Sequence, residues 1–338
     1  MKHVFFVHSQ ITKLISLEII NKLSLKQQDI AIITYRGIIF YAGYEAHIFP
    51  FSHYPVESFT IQKSFFPSKA SLHSLDDFIG KITENQSFIA YLPQLNERML
   101  ELIVSHSKCS KYNLIEEGKL SFTELQHRKI QKYSKKEYFW LILNYGRRLS
   151  RTRTYLPDTY DLAFKFSDAA FPNYPRVEKV NLHCNSSELD YHNILVLEPL
   201  VEAGILNIES YLLGLKKLIE ILKKEGVNTV HYKFHPEQQE NISKSKILKL
   251  FGEIDLAFFT PLESDVSLEQ IAINSPATFY SVSSSMLYYA SFLGSQSYSF
   301  LHLLPHSENL SNYFETQPKA YRENINYIED FQAEITYQ

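Results

Sequence analysis

Short apolar runs alternate with amphipathic stretches along most of the chain. In the first half this pattern predicts strands at residues 3–7, 30–34, 88–92 and 112–115, and helices at 11–25 and 94–107. Short apolar runs bounded by polar turns are typical of buried strands, and longer stretches with apolar residues three and four apart are typical of helices. Such alternation of strands and helices predicts an α/β architecture built on parallel sheets.

The alternation stops at residues 167–192, where Pro172, Pro175 and the run Asn185-Ser186-Ser187 interrupt any periodicity. We interpret this stretch as a linker. Beyond it the pattern predicts strands at 193–197, 229–234, 256–259 and 277–282, and helices at 208–224, 267–273 and 286–293. We therefore expect two Rossmann-like domains, 1–175 and 190–305, and a tail, 306–338, that packs back on the first domain.

Composition narrows the class of protein. A chain of 338 residues is long enough for two cores, and a net charge of −3 gives no general argument for binding nucleic acid. Two cysteines cannot form a disulfide framework or a cysteine metal site, and they suit a reducing cytosol. The apolar run at residues 4–7 is too short for the core of a signal peptide, and no apolar run is long enough to span a bilayer. We expect a cytoplasmic protein.

Three polar clusters follow predicted strands: Glu116-Glu117-Gly118, His235-Pro236 and Ser283-Ser284-Ser285. In open α/β sheets ligands bind beyond the carboxyl ends of the strands, so we expect the clusters to line a cleft between the two domains. Adjacent carboxylates repel each other, which suits one of them to act as a base, and Gly118 permits a tight turn. The alternative is an ordinary turn with a capping acid.

The other two clusters suit an anion. Pro236 ends the strand and presents His235, whose imidazole can donate to a phosphate oxygen, although a surface histidine is an equal alternative. The serines precede a predicted helix, and a helix N-terminus offers unpaired N–H groups to a phosphate. Plain helix capping is the alternative for the serines.

Several common motifs are absent from the sequence, among them G-x-G-x-x-G, the P-loop, G-x-S-x-G and H-E-x-x-H. The only paired aspartates, Asp76-Asp77, are interpreted as the first turn of a helix. A D-x-D site for a metal-bound nucleotide diphosphate is therefore missing, and we expect chemistry without a metal or other cofactor.

Taken together, the three clusters resemble the motifs of a known family. They read Glu116-Glu117-Gly118, Lys233-Phe234-His235-Pro236 and Ser283-Ser284-Ser285-Met286-Leu287. In this order they resemble the (D/E)(D/E)G, HP and serine motifs of bacterial sialyltransferases, a group that includes lipopolysaccharide, O-antigen and capsule enzymes.

The resemblance implies a GT-B fold and inverting, metal-independent transfer of sialic acid from CMP-sialic acid. The acceptor it implies is a terminal galactose-type residue of a bacterial surface glycan. A lipid-linked glycan is one form of such an acceptor. Under this resemblance Glu116 is the general base, and Glu117 supports the loop or contacts the acceptor. His235 stabilises or protonates the departing phosphate, and the serines bind it, with Ser284 and Ser285 aligning best.

Other residues are weaker candidates. His8 and Ser9 end the first predicted strand and either contact a sugar or form a polar turn. On the donor side the candidates that surround the CMP are Lys233, Pro236, Glu198 and Glu263. Glu263 and Glu269 either reach the ribose or complement a helix dipole.

Residues 128–153 form a basic segment in which aromatic residues are interleaved with Lys and Arg. Between Arg128 and Arg153 its basic residues are Lys129, Lys132, Lys135, Lys136, Arg147, Arg148 and Arg151. It is either a helix that lies on the anionic inner face of the plasma membrane or an ordinary solvated helix face. Two alternatives to the sialyltransferase also stay open. One is a GT-B transferase with a Kdo or UDP-sugar donor, and the other is a non-catalytic glycan-binding or assembly protein.

Overall fold

The computed structural model describes residues 1–35, 38, 40, 43–49, 67–93, 98–123, 139, 160–182, 190–235, 237–263 and 266–328. Its chain forms two compact units, Met1–His183 and Cys184–Gln338. Each unit contains a parallel sheet and is described separately below.

The first unit is built on a seven-stranded sheet with the order β3-β2-β1-β4-β5-β6-β7, in which every pair is parallel. The strands are β1 Lys2–Val7, β2 Ile30–Thr34, β3 Ala46–Ile48, β4 Phe88–Leu92, β5 Cys109–Ile115, β6 Ala163–Lys165 and β7 Val177–Lys179. The helices are α1 Gln10–Lys22, α2 Pro67–Ile82 and α3 Arg98–Val104, with 3₁₀ turns at Gln27–Asp29 and Lys119–Phe122. Val4, Phe5, Phe6 and Val7 are all buried, as expected of a parallel strand that is covered on both faces.

The second unit has a six-stranded parallel sheet with the order β10-β9-β8-β11-β12-β13. The strands are β8 Asn193–Val196, β9 Val230–Lys233, β10 Phe259–Pro261, β11 Thr278–Ser281, β12 Gln296–Ser299 and β13 Asn326–Tyr327. The helices are α4 Ile208–Lys224, α5 Ser245–Asp255, α6 Leu268–Asn274, α7 Ser285–Phe292, α8 Glu308–Glu315 and α9 Lys319–Arg322. A π-helical turn, Glu240–Lys244, precedes α5, and 3₁₀ turns lie at Leu256–Phe258 and Leu301–Leu303.

Both sheets follow the Rossmann order, in which the first three strands run outward one way and the later strands, four in the first unit and three in the second, run the other way. The direction reverses between β1 and β4 in the first unit and between β8 and β11 in the second. Crevices at such reversal points, beyond the carboxyl ends of the strands, are where ligands bind in this architecture. The sheet order therefore singles out the residues that follow β1, β4, β8 and β11.

The longest helix of the second unit shows why its sequence predicts it so well. The apolar residues of α4 recur three and four apart, and its buried set includes Tyr211, Leu215, Leu218 and Leu222. Asn207 caps its first turn by accepting a hydrogen bond from the Ser210 amide at 2.7 Å. Just past its end the φ of Gly226 is +80°, a value that glycine adopts without strain.

Several predicted bounds differ from the structure. Helix α1 ends three residues earlier than predicted because Ser24 adopts a positive φ of 49°. The predicted strand at 256–259 is a 3₁₀ turn that leads into β10. Helix α3 is shorter than predicted, and residues 94–97 lie outside the described residues. The interpretation of Asp76-Asp77 as a first turn is wrong, because both lie in the middle of α2.

The division of the chain also differs from the expected one. The first unit extends to His183 rather than to residue 175, because β7 adds a strand inside the stretch interpreted as a linker. The described part of the expected tail, residues 306–328, belongs to the second unit, where β13 pairs with β12. The C-terminal segment is therefore the last βαβ crossover of the second sheet.

Candidate functional site

Glu116 is enclosed at the carboxyl edge of the first sheet. It follows β5 directly and is 0% exposed. Its Oε2 accepts hydrogen bonds from the amides of Phe166 at 2.7 Å and Ser167 at 2.9 Å. Its Oε1 accepts the Ser167 hydroxyl at 2.6 Å. The carboxylate thus ties the end of β5 to the end of β6. Its predicted role as base stays a prediction.

Glu117, the next residue, has a different environment. Its Oε2 lies 3.1 Å from the Nε2 of His8, the residue that follows β1. The two side chains are only 9% exposed for His8 and 5% exposed for Glu117. The Oε1 of Glu117 and the Nδ1 of His8 are buried and find no hydrogen-bond partner among the described residues. Buried polar atoms are almost always paired in proteins, so this contact pair is a candidate for a ligand site.

The turns that hold this pair are well defined. Gly118 has a φ of +144°, in the region that favours glycine, and the Glu117 amide donates to Ser121 Oγ at 3.0 Å. On the other side Ser9 caps α1, because its Oγ accepts from the Thr12 amide at 3.3 Å. The Thr12 Oγ1 in turn accepts from the Ser9 amide. Ser9 is thus the polar turn that was one of its two alternatives. His8 is placed against Glu117 instead.

Glu198 repeats the arrangement of Glu116 in the second unit. It comes two residues after β8 and is 7% exposed. Its Oε2 accepts from the Ser281 hydroxyl at 2.7 Å, the Val282 amide at 2.9 Å and the Ser283 amide at 2.6 Å. Its Oε1 accepts the Ser283 hydroxyl at 3.0 Å. Glu198 therefore ties the end of β8 to the end of β11 across the reversal point. Its predicted contact with the nucleotide stays a prediction.

The three serines are not equivalent. Ser283 is 0% exposed, and its Oγ lies 3.1 Å from the hydroxyl of Tyr313 as well as bonding Glu198. Ser284 is the N-cap of α7, where its Oγ accepts from the Met286 amide at 3.2 Å. Ser284 and Ser285, the first residue of α7, are only half-buried. These two are the serines that an anion at the helix N-terminus can reach.

His235 follows β9 and is exposed. Its amide donates to Gln238 Oε1 at 2.9 Å, and its Nδ1 accepts from the Glu237 amide at 3.2 Å. Because Nδ1 is an acceptor here, the neutral imidazole carries its proton on Nε2. The local turn thus defines the tautomer of the ring that was predicted to meet the phosphate. Pro236 lies outside the described residues.

The remaining donor-side candidates surround the start of α6. The ammonium of Lys233 donates to the Val266 carbonyl oxygen. Glu269 accepts from the Ser267 hydroxyl at 3.0 Å, and burial raises the pKa of its carboxyl, an effect that the nearby Lys233 charge opposes. Glu263 is exposed.

Three residues that complete these clusters were missed by sequence reasoning. Ser167 bonds Glu116 across 51 positions, Tyr313 bonds Ser283 across 30, and the Tyr321 hydroxyl donates to the Ser284 carbonyl across 37 at 2.9 Å. No local pattern marks these partners, because each comes from an element that is distant along the chain.

Within the described ranges, no group of three or more His, Cys, Asp or Glu side chains is arranged to hold a metal ion. The same ranges contain no helix that is both long and apolar enough to cross a bilayer. The basic segment 128–153, apart from Phe139, lies outside them.

Three solved structures illustrate what this chain is similar to. MnaA of S. aureus, solved with UDP, has a TM-score of 0.51 at 9% identity, over 88% of this chain and 79% of that chain. The UDP-N-acetylglucosamine 2-epimerase from Rickettsia bellii has a TM-score of 0.47 at 13% identity, over 88% of this chain and 79% of that one. MurG of Acinetobacter baumannii has a TM-score of 0.38 at 10% identity, over 97% and 86%.

No protein-family model matches the sequence, and none of the curated proteins matches it. The likeness to solved structures, together with the strand order of the two sheets, confirms the prediction of a GT-B type fold with two Rossmann-like units.

Proposed function

We propose that this protein transfers a sugar from a nucleotide-sugar donor to an acceptor hydroxyl, with Glu117 as the general base. The observation that carries the proposal is the buried pair of His8 and Glu117, in which one carboxylate oxygen has no partner among the described residues. A hydroxyl is a poor nucleophile until a positioned base takes its proton in the transition state.

In this reaction the proton of the acceptor hydroxyl passes to Oε1 of Glu117. The acceptor oxygen forms a bond to the anomeric carbon of the donor sugar, and the bond from that carbon to the phosphate oxygen breaks. Negative charge then grows on the departing nucleotide. His8 supports the base from the other side, because an Nε2–H that donates to Oε2 holds the carboxylate in one orientation.

Glu117 suits this role better than Glu116. To take a proton on Oε1, Glu116 would have to give up its bond from the Ser167 hydroxyl, and its Oε2 already accepts two amides. Hydrogen bonds to the ionised form also stabilise a carboxylate as the anion, which makes it a weaker base. The family resemblance assigned the base to the first acid, so the two neighbours are rival assignments that one pair of variants separates.

The second unit supplies groups that suit the leaving phosphate. Ser284 and Ser285 stand at the N-terminus of α7, where helix N–H groups and the helix dipole favour an anion. His235 is exposed and carries a proton on Nε2 in its neutral form. Donors aimed at a developing negative charge accelerate its departure. We assign these residues to the phosphate of the donor.

CMP-sialic acid is the donor that we propose first, because the three motifs resemble those of bacterial sialyltransferases. The acceptor would then be a galactose-terminated glycan. A UDP-sugar is the second candidate, since MnaA, which shares this fold, was solved with UDP. A Kdo donor is a further alternative, and the experiment described next includes it.

The test is incubation of the purified protein with CMP-sialic acid, CMP-Kdo and a panel of UDP-sugars, each with a panel of galactosides and with or without chelator. We expect transfer from CMP-sialic acid that survives chelation. Transfer from a UDP-sugar alone would retain the glycosyltransferase and replace the donor. If no donor gives transfer while glycans still bind, the non-catalytic alternative replaces the proposal.

A further inference from the structure

The C-terminal segment of the second unit contacts the serine cluster directly. Tyr321, on α9, is fully buried and donates its hydroxyl to the carbonyl oxygen of Ser284 at 2.9 Å. Tyr313, on α8, places its hydroxyl 3.1 Å from Ser283 Oγ. Both tyrosines therefore touch the two residues that immediately precede α7.

The direction of the bond at Ser283 follows from its other partner. The Ser283 hydroxyl donates its one proton to Oε1 of Glu198, because a carboxylate can only accept. The hydroxyl of Tyr313 must then be the donor to Ser283. A chain of hydrogen bonds thus runs from Tyr313 through Ser283 to Glu198, and Glu198 also accepts the amides of Val282 and Ser283.

Burial preserves both tyrosines as donors. It raises the pKa of Tyr313 and of Tyr321, and the Glu198 charge raises both further. Each hydroxyl consequently stays protonated at neutral pH. The turn that leads into α7 is in this way fixed at its carbonyl, its side chain and its amides by groups from three separate parts of the chain.

We propose that Tyr313 and Tyr321, together with Glu198, are positioning residues that hold the first turn of α7 in the geometry that binds the donor phosphate. The inference rests on the proposed function, which places that phosphate at Ser284 and Ser285. Helix N–H groups that are already oriented bind an anion without paying for reorganisation, so loosening the turn weakens binding of the nucleotide. Helices α8 and α9, through Tyr313 and Tyr321, accordingly contribute to the donor site.

The test compares Tyr313→Phe and Tyr321→Phe with Tyr327→Phe. Tyr327 lies in the same segment, and its hydroxyl bonds the Arg322 carbonyl at 3.4 Å, away from the serines. Isothermal titration with CMP, and separately with UDP, measures nucleotide binding, and kinetics with the active donor separate its KM from kcat and from the acceptor KM. Hydrogen exchange at the amides of residues 284–287 reports on the turn without any ligand.

We expect Tyr313→Phe and Tyr321→Phe each to weaken nucleotide binding and to raise the donor KM by roughly three- to tenfold, the effect of one hydrogen bond. The acceptor KM should stay constant, exchange at 284–287 should accelerate, and Tyr327→Phe should match the wild type in all three readouts. Wild-type affinity and exchange in the folded Tyr313 and Tyr321 variants would overturn the inference.

Two further results are informative. Faster exchange with unchanged nucleotide affinity would mean that the tyrosines hold the turn only for stability, which also overturns the donor-site role. If the wild type itself binds neither CMP nor UDP, the proposed function fails at its donor site. That failure appears in the wild-type titration and is thereby distinct from a failure confined to the variants.

Discussion

The Nε2 of His8 lies 3.1 Å from Oε2 of Glu117, although β4 separates the two strands that these residues follow. The contact reaches across the end of β4 at the edge of the sheet where the strand order reverses. Each side chain keeps one buried polar atom without a partner among the described residues. Such atoms are costly to bury, about 1–3 kcal/mol each, which is why we propose that the acceptor hydroxyl bonds Glu117.

Replacement of His8 tests its part in this pair. In His8→Phe the Nε2–H that orients Glu117 is lost, so we expect kcat to fall about 10- to 100-fold, the scale of a hydrogen bond to a charged group. Steady-state transfer kinetics with saturating donor measure the effect. The matched control is His3→Phe, at the other end of β1, where the imidazole contacts Tyr91 at 2.9 Å. Equal kcat for His8→Phe and His3→Phe would contradict the role of His8.

Removal of either enclosed carboxylate, that of Glu116 or that of Glu198, should destabilise the protein by a similar amount. Glu116→Ala leaves the amides of Phe166 and Ser167 and the Ser167 hydroxyl buried without an acceptor. We expect a loss of about 3 kcal/mol in the free energy of unfolding, measured by urea denaturation. Glu198→Ala should cost a similar amount, because its carboxylate accepts the same kinds of donor. A loss below about 1 kcal/mol in either variant would mean that the bonds are replaced by water.

Replacement of Glu269 by glutamine should stabilise the folded protein by an amount that depends on pH. Burial raises the pKa of its carboxyl in the folded state, so the folded protein holds this proton more tightly than the unfolded chain. Stability is thereby lost as the pH rises from the ordinary glutamate value, about 4.3, through the raised folded pKa. Glu269→Gln stays neutral and keeps an acceptor for Ser267.

The melting temperature of Glu269→Gln should therefore exceed that of the wild type at pH 7 and approach it near pH 4.5. Melting curves of both proteins across this range measure the difference. Glu263→Gln, at an exposed position close by along the chain, is the control and should show no such trend. A constant difference between Glu269→Gln and the wild type at all pH values would mean that folding does not raise the pKa of this carboxyl.

The sequence predicts those elements whose own side chains determine them. Strands β2 and β4 and helix α4 match their predicted bounds, because β2 and β4 are continuous apolar runs and α4 has a regular apolar stripe and a glycine just past its end. Strands β6, β7 and β13 have only two or three residues, which is too short for any periodicity. They form because a neighbouring strand already presents its edge.

The same contrast between local and distant determinants holds for the candidate site. The polar residues after β1, β5, β9 and β11 can be found from the sequence, since each directly follows a predicted strand. Which of them is enclosed cannot be found in that way. Glu116 and Glu117 are adjacent and chemically identical, and only the amides of Phe166 and Ser167, 50 and 51 positions away, distinguish them. The equivalent partners of Ser283 and Ser284 come from α8 and α9.

The central claim is that Glu117 is the base and that Glu116 has a structural role, in which it ties the end of β5 to the end of β6. The most direct measurement is the rate of sugar transfer by Glu117→Gln and Glu116→Gln, two isosteric variants at neighbouring positions, with folding checked by their melting temperatures. A glutamine at 116 can keep its oxygen on the two amides, while its NH2 group donates to Ser167 Oγ instead of accepting from it. Glu116→Gln should therefore retain transfer within about fivefold of the wild type.

Glu117→Gln cannot take the acceptor proton. We expect its kcat to fall on the order of 10²- to 10⁴-fold, while its affinity for CMP or UDP stays that of the wild type. The reverse result, with transfer abolished in a folded Glu116→Gln and retained in Glu117→Gln, would contradict the account and return the base to the first acid.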